Sequence, residues 1–360
     1  MKFEYVFLEG SFDAIGRSIG NCFKNKIREL VQIRKSQFSQ EIRSQGLELS
    51  VSVLHEICSE SAAALKNEYK NGYDELRGIA SSSGVKLEEL IFSSGYSDII
   101  DLYLDRFDAL SPKKENRPSC TSFISIGNAN SDKLSYAGQT WDMPPNTQNF
   151  VFLAMKKPVD CRPFLSLSTV TGLTHIGINE DGLCIGTNKL VSSDVQQGLL
   201  FTSIIQNAIS KNDLSEAREG VVGARRAAGH NYFLISKGEG LNIEASAKKT
   251  VAVSIRNDVF VHANHYLSPL SRTVGINYSP SSERRSDTLK AKLVASYGEL
   301  NMNTFQSALS LHEGPICRHD NADVVQTCSG IIFNSESIIM RASYGPPHLG
   351  DWSTYRCKIR

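Results

Sequence analysis

After a short strand-like opening, apolar residues return at three- and four-residue steps through Phe12, Ile15, Ile19, Phe23, Ile27, Leu30 and Val31, the stripe of an amphipathic helix. A second stripe runs through Val51, Leu54, Ile57, Cys58, Ala62, Leu65 and Tyr69. A third carries Tyr73, Leu76 and Ile79 up to Gly84, a residue suited to stopping a helix. Leu87 to Leu104 predicts one more helix. Residues 111–119 then read Ser-Pro-Lys-Lys-Glu-Asn-Arg-Pro-Ser, the composition of an exposed loop.

From Cys120 the texture changes to short strands separated by turn residues. The pattern predicts strands over 121–127, 134–141 and 149–156, and a hairpin of 175–178 with 183–186 across Asn179-Glu180-Asp181-Gly182. Helices are predicted near 198–211 and 214–224, strands at 231–236, 241–245 and 259–262, helices near 283–297 and 303–311, and a hairpin around 330–341. Runs of strands, then helices, then strands predict an α+β layered fold rather than βαβ repetition.

Composition narrows the classes of function. At 360 residues and 41% apolar content the chain has the means to bury a large core. A net charge of +1, with no basic run denser than Arg225-Arg226 or Arg284-Arg285, leaves no electrostatic footprint for nucleic acid or an anionic membrane. Small-molecule or peptide partners are expected instead. The opening Met1–Glu9 carries an early acidic residue and no long apolar region, and no segment approaches the roughly 20 apolar residues of a spanning helix. The expectation is a soluble, cytoplasmic protein. Eight cysteines without a C-x-x-C pair argue against a disulfide framework or a zinc ribbon.

One cysteine is unusually placed. Cys120 stands where the charged 111–119 stretch gives way to a strand. Were the Ser119–Cys120 bond cut, Cys120 would head a new chain and its thiol would gain a free α-amine as a built-in base. Pairing of strands 121–127 and 134–141 through the intervening turn would return Asp142 toward Cys120, where a carboxylate can hold the α-ammonium or orient the thiol. The competing reading is that Asp142 starts the turn before Met143-Pro144-Pro145. In His262-Ala263-Asn264-His265 the Asn264 amide offers a donor for an oxyanion. A metal reading built on His262, His265, Cys317 and His319 lacks helical ligand spacing, and no metal is expected. Ser281-Ser282-Glu283 resembles a helix start, from which Arg284 or Arg285 would reach a carboxylate or point to solvent.

These residues carry a family resemblance. Glu9–Gly16, Glu75–Ala80, Cys120-Thr121-Ser122, Gly138–Asp142, Asn242–Ser246 and His262–His265 together resemble the acyl-coenzyme A:6-aminopenicillanic acid acyltransferase family, the C45 autoproteolytic N-terminal-nucleophile (Ntn) hydrolases. The resemblance implies an α+β, αββα four-layer sandwich. Its residues 1–119 would be a helical propeptide or α-chain and 120–360 the Ntn core or β-chain, an α/β heterodimer formed by self-cleavage of a zymogen. It implies a thioester at Cys120 and an amidohydrolase or N-acyltransferase acting on a small acylated amine or acyl thioester. No cofactor is implied, with acyl-coenzyme A admitted as co-substrate. By the family pattern Asp142 organises the nucleophile, Asn264 stabilises the oxyanion, Ser246 assists processing, Arg284 is a site arginine, and Gln139 favours the acyltransferase branch over bile-salt hydrolases. Ser119 stands where the penicillin enzyme has Gly, and Asp323–Thr327 does not reproduce that enzyme's Ser-Arg pair. Two other readings are an unprocessed thiol hydrolase pairing Cys120 with His262 or His265, and a non-catalytic binding scaffold.

Overall fold

The first amphipathic stripe folds as two helices, not one. Ser11 accepts a hydrogen bond from the Ala14 N–H and starts α1 (Phe12–Cys22); the helix breaks at Phe23 and resumes as α2 (Lys24–Ser44). α3 (Val51–Glu68) and α4 (Lys70–Ser83) follow the predicted stripes, and α4 ends on Gly84 in the left-handed conformation. The next stripe also divides, at Gly95, into α5 (Leu87–Ser94) and α6 (Tyr96–Asp105). A side chain at position 95 would overlap Leu200.

The structure, a computed structural model, describes residues 2–110, 119–144, 146–275, 280–319 and 325–358. The predicted loop at 111–118 lies outside them. Its strands are β1 (Glu4–Gly10), β2 (Ser119–Ile126), β3 (Ser135–Met143), β4 (Val151–Pro158), β5 (Phe164–Thr169), β6 (Ile176–Asn179), β7 (Cys184–Lys189), β8 (His230–Ser236), β9 (Glu239–Ala245), β10 (Thr250–Ile255), β11 (Val259–His262), β12 (Gln326–Asn334), β13 (Ile339–Ser343) and β14 (Trp352–Arg356). The remaining helices are α7 (Phe201–Ile209), α8 (Leu214–Val222), the single turn α9 (Leu270–Thr273), α10 (Pro280–Val294) and α11 (Met302–Leu309). One sheet has the order β1-β4-β5-β6-β7-β8-β9-β10, the other β11-β2-β3-β12-β13-β14. All pairs are antiparallel except β1 with β4.

Strand alternation sorts the side chains into layers. Leu153, Leu165, Phe233 and Ile235 of the larger sheet share a cluster with Ile124, Ala137, Ile331 and Met340 of the smaller one. Phe152, Ala154, Ile185 and Leu234 face the other way and pack with α1 to α8. On the far side of the smaller sheet, Phe123, Tyr136 and Ile332 pack with Leu289, Leu293, Phe305 and Leu309 of α10 and α11. The order is helices, sheet, sheet, helices, an α+β architecture in which the inner strands of both sheets are buried on both faces.

The N-terminal segment belongs to this body. β1 adds to the larger sheet alongside β4. Lys156 of β4, fully buried, donates to Glu75 of α4 at 2.6 Å, and Gln206 of α7 donates to the second Glu75 oxygen at 2.9 Å. α1 and α4, which carry two of the quoted motifs, lie in backbone contact: a methyl group at Gly16 would overlap the Glu75 carbonyl, and one at Gly78 the Asp13 carbonyl.

Three strands escaped the sequence reading. β5 alternates Phe and Leu with serines that are themselves buried, so it shows no solvent face. β10 is an edge strand whose Ala252, Val253 and Ser254 are all exposed, so no buried alternation marks it. β14 is an edge strand of the smaller sheet. Gly78→Ala forces the α1–α4 backbones apart and is expected to cost about 1–3 kcal/mol or more. Gly220→Ala, on the open face of α8, is expected to leave Tm unchanged or raise it. Scanning calorimetry of the two variants reads the contrast.

Candidate active site

The β2–β3 register sets Ser119 opposite Asp142 and Cys120 opposite Trp141. On the other edge of β2, β11 pairs His262 with Ser122, and the chain beyond it brings Asn264 level with Cys120. The Cys120 backbone N–H donates to Asn264 Oδ1 at 3.0 Å, and the Cys120 carbonyl accepts from Arg285 Nη1 at 2.7 Å. Arg285 Nη2 also donates to Asn264 Oδ1 at 2.9 Å, and Asn264 Nδ2 donates to the Lys189 carbonyl at 3.0 Å. Two donors on one amide oxygen fix the orientation of the Asn264 side chain.

Asp142 is fully buried behind the same bond. Its Oδ2 accepts from Ser119 Oγ at 2.8 Å and its Oδ1 from Thr327 Oγ1 at 2.7 Å. Arg318 Nη1 reaches Ser119 Oγ at 3.1 Å. Burial raises the Asp142 carboxyl above its usual range, although Arg285 and the two hydroxyls pull the other way. Burial and the nearby Asp142 push the Cys120 thiol up to about 12, and burial lowers the Arg285 guanidinium to about 10.

Cys120 opens on a cavity of about 780 Å³. Trp141, His175, Phe201 and His230 form a continuous aromatic wall, with centroid separations of 5.3, 5.5 and 4.8 Å. Beside it, Lys189 Nζ lies 3.0 Å from Asp98 Oδ1 and 2.8 Å from Asp101 Oδ2, and His230 Nε2 sits 2.7 Å from Asp98 Oδ1. Burial opposes ionisation of Asp98, but Lys189 and His230 override it and hold the carboxyl well below its usual range. Elsewhere in the cavity Arg34, on α2, is 3% exposed and its guanidinium carbon stands 4.6 Å from the Tyr96 ring centroid. Its Nε and Nη1 have no hydrogen-bond partner among the described residues, and neither has Oε1 of Gln37, one turn along the helix. Burial lowers the Arg34 guanidinium.

Ser119, Cys120, Gln139, Asp142 and Asn264 all line this cavity. Gln139 is pinned by the Thr187 N–H on its Oε1 at 3.1 Å. Ser246 is elsewhere: its hydroxyl donates to Asp194 at 2.7 Å in the turn after β9, and it is not among the lining residues. The guanidinium at the nucleophile is that of Arg285, not Arg284, because neighbours on a helix point about 100° apart and α10 turns Arg285 inward. His262 pairs with Glu244 at 2.7 Å and His265 with Ser282 at 2.7 Å. No hydrogen bond joins either ring to the Cys120 sulfur among the described residues. Thr327, Arg318 and Arg34 were not singled out from the sequence; their separation from Cys120 along the chain hides them.

The model of the acyl-coenzyme A:6-aminopenicillanic acid acyl-transferase family matches residues 128–347, more than half of the chain. The chain belongs to this family. It is an enzyme of the Ntn hydrolase and acyltransferase type. Within this acyl-transferase family member the matched segment carries Gln139, Asp142, Asn264, Arg285 and Thr327, whereas Ser119 and Cys120 precede it. No curated protein sequence matches the chain. Among solved structures it is similar to penicillin V acylase from Agrobacterium tumefaciens, at 13% identity over 62% of this chain and 83% of that one, with a TM-score of 0.40. It is also similar to a mutant of the conjugated bile acid hydrolase from Clostridium perfringens, at 12% identity over 67% and 97% of the two chains, with a TM-score of 0.41. No helix among the described residues is long and apolar enough to cross a membrane.

The buried imidazoles give the site an acid limit. Burial lowers His175 to about 3 and His265 to about 4. In the unfolded chain both take up protons near their ordinary value of about 6.5. Below that pH the unfolded state binds more protons than the folded one, so stability falls with pH until the folded values are reached. Calorimetry from neutral to acid pH is expected to show Tm declining below about pH 6.5, with a shallower slope for His265→Gln.

Proposed function

We propose that the chain cleaves its own Ser119–Cys120 bond and that the freed Cys120 then transfers the acyl group of a small acylated amine. The observation that supports this best is the Cys120 backbone held on both sides, its N–H on Asn264 and its carbonyl on Arg285, beside the buried Asp142 and with no imidazole bonded to the sulfur among the described residues. In processing, the sulfur attacks the Ser119 carbonyl carbon, the C–N bond to Cys120 breaks, and the nitrogen takes the thiol proton. Water then hydrolyses the thioester, leaving the Ser119 carboxylate and a Cys120 thiol with its own α-amine. Asp142 and Arg318, both on the Ser119 hydroxyl, hold the carbonyl in place for that attack.

In the intact chain the thiol, at about 12, is protonated near neutrality and gives up its proton only as it attacks the Ser119 carbonyl. Cleavage adds an amine that titrates near 8, whose cationic form beside the sulfur lowers the thiol. In turnover the amine takes the sulfur's proton, the sulfur attacks the acyl carbon, and the leaving amine departs with a proton. Water or a second amine then attacks the thioester, giving hydrolysis or acyl transfer. Asn264 receives the α-amine on Oδ1, and its Nδ2 side is the oxyanion donor. Acyl-coenzyme A is the thioester co-substrate this chemistry admits.

The cavity also bears on the substrate. A buried guanidinium with two unmade hydrogen bonds is costly unless an anion completes it. Arg34 and the aromatic wall together fit an acylated amine that has an apolar body and carries a carboxylate away from the scissile bond.

Intact mass of the purified protein beside Cys120→Ala tests the self-cleavage. Fragments of residues 1–119 and 120–360 in the former and an uncut variant are expected; an uncut wild-type chain that still turns over acylated amines would sink this mechanism. The kcat/KM of the cleaved enzyme should rise with pH through about 8, as the α-amine becomes a free base. Arg34→Met should lower kcat/KM for a carboxylate-bearing acylated amine by roughly 10- to 100-fold, while the corresponding methyl ester is spared.

A further inference from the structure

Three histidines outside the cavity converge from separate parts of the chain. His312 follows α11, His319 precedes β12, and His348 lies in the helical turn before β14. Their ring centroids stand 4.3, 4.7 and 4.5 Å apart, and one ligand atom from each lies within 4.8 Å of the others. His312 and His348 are exposed and His319 is half-buried.

We propose that His312, His319 and His348 form a binding site for a zinc-class divalent ion, with solvent in the fourth position. Imidazole nitrogens are the ligand set that such ions prefer, and three of them with one open place is a familiar zinc arrangement. Zinc–nitrogen bonds of about 2.0–2.1 Å require the three nitrogens to draw in to roughly 3.4 Å of one another, a small movement for side chains at the surface. The neighbouring contacts favour it. Cys317 Sγ lies 3.3 Å from His348 Nδ1, the kind of outer contact that orients a ligating ring. Pro347, beside His348, accepts from the Trp352 indole at 3.1 Å, which holds the turn in place.

The pairing of residues differs from the one the sequence offered. His262 and His265 are engaged with Glu244 and Ser282, whereas His319, next to Cys317, joins His312 and His348. Between Cys317 and His319 lies Arg318, the residue whose guanidinium meets Ser119. The ion site therefore sits on the segment that reaches the candidate active site, though its occupancy does not depend on any reading of the catalysis.

Zinc titration of the full chain against a competing chromophoric chelator tests the proposal, with metal content measured after dialysis. One zinc per chain is expected at a Kd in the micromolar range or below. His312→Ala and His348→Gln should each weaken binding at least 10-fold and Cys317→Ser should weaken it less, while His55→Ala, at an exposed position on α3, should not change it. Absence of binding at tens of micromolar zinc, or one-to-one binding that survives both His312→Ala and His348→Gln, would overturn it. Tm should rise with added zinc in the unmodified chain and not in His312→Ala, a readout independent of enzymatic activity.

Discussion

The antiparallel register of β2 and β3 is the constraint on which the site rests. It places Ser119 against Asp142 and Cys120 against Trp141. Side chains alternate with a period of two, so a slip of one residue would send the Cys120 side chain to the opposite face of the smaller sheet and Asp142 away from Ser119. Burial on both faces forbids the slip: Phe123 must meet α11 while Ile124 meets the larger sheet. The packing of an ordinary core thus fixes the position of the reactive group.

The polar groups around that bond are held by one another more than by solvent. Asn264 is gripped by Arg285 and Lys189, Asp142 by two hydroxyls, and Arg285 by the Cys120 carbonyl and Thr121. Each would be costly to bury alone, and together they leave little freedom to reorganise during a reaction. Arg34 is the contrast. Its guanidinium rests on Tyr96, while its Nε and Nη1 have no hydrogen-bond partner among the described residues.

Much of this was legible in the sequence wherever local pattern and chemistry agreed. The helical stripes, the strand beginning at Cys120 and the turn back to Asp142 followed from periodicity and turn residues. What failed had physical causes. Two helices were divided by packing, at Phe23 and at Gly95, where no change of periodicity announces the break. β5 and β10 hid because one has no solvent face and the other is exposed on both faces over Ala252–Ser254. The choice between Arg284 and Arg285 depended on the rotation of α10, which tandem residues do not disclose. Arg34, Arg318 and Thr327 come to the site from distant parts of the chain, and nothing near them in sequence marks their destination.

The ion pair between Lys156 and Glu75 has a consequence for the first 119 residues. It ties β4 of the larger sheet to a helix of the opening segment with both partners fully buried, and β1 extends the same sheet beside β4. Were the backbone severed before Cys120, the two pieces would remain one cooperative unit, because parting them would break a fully buried ion pair and strip α1 to α6 from the face of the larger sheet. Such a protein would behave as an obligate heterodimer, so its stability would depend on its concentration, as it does not in an unbroken chain.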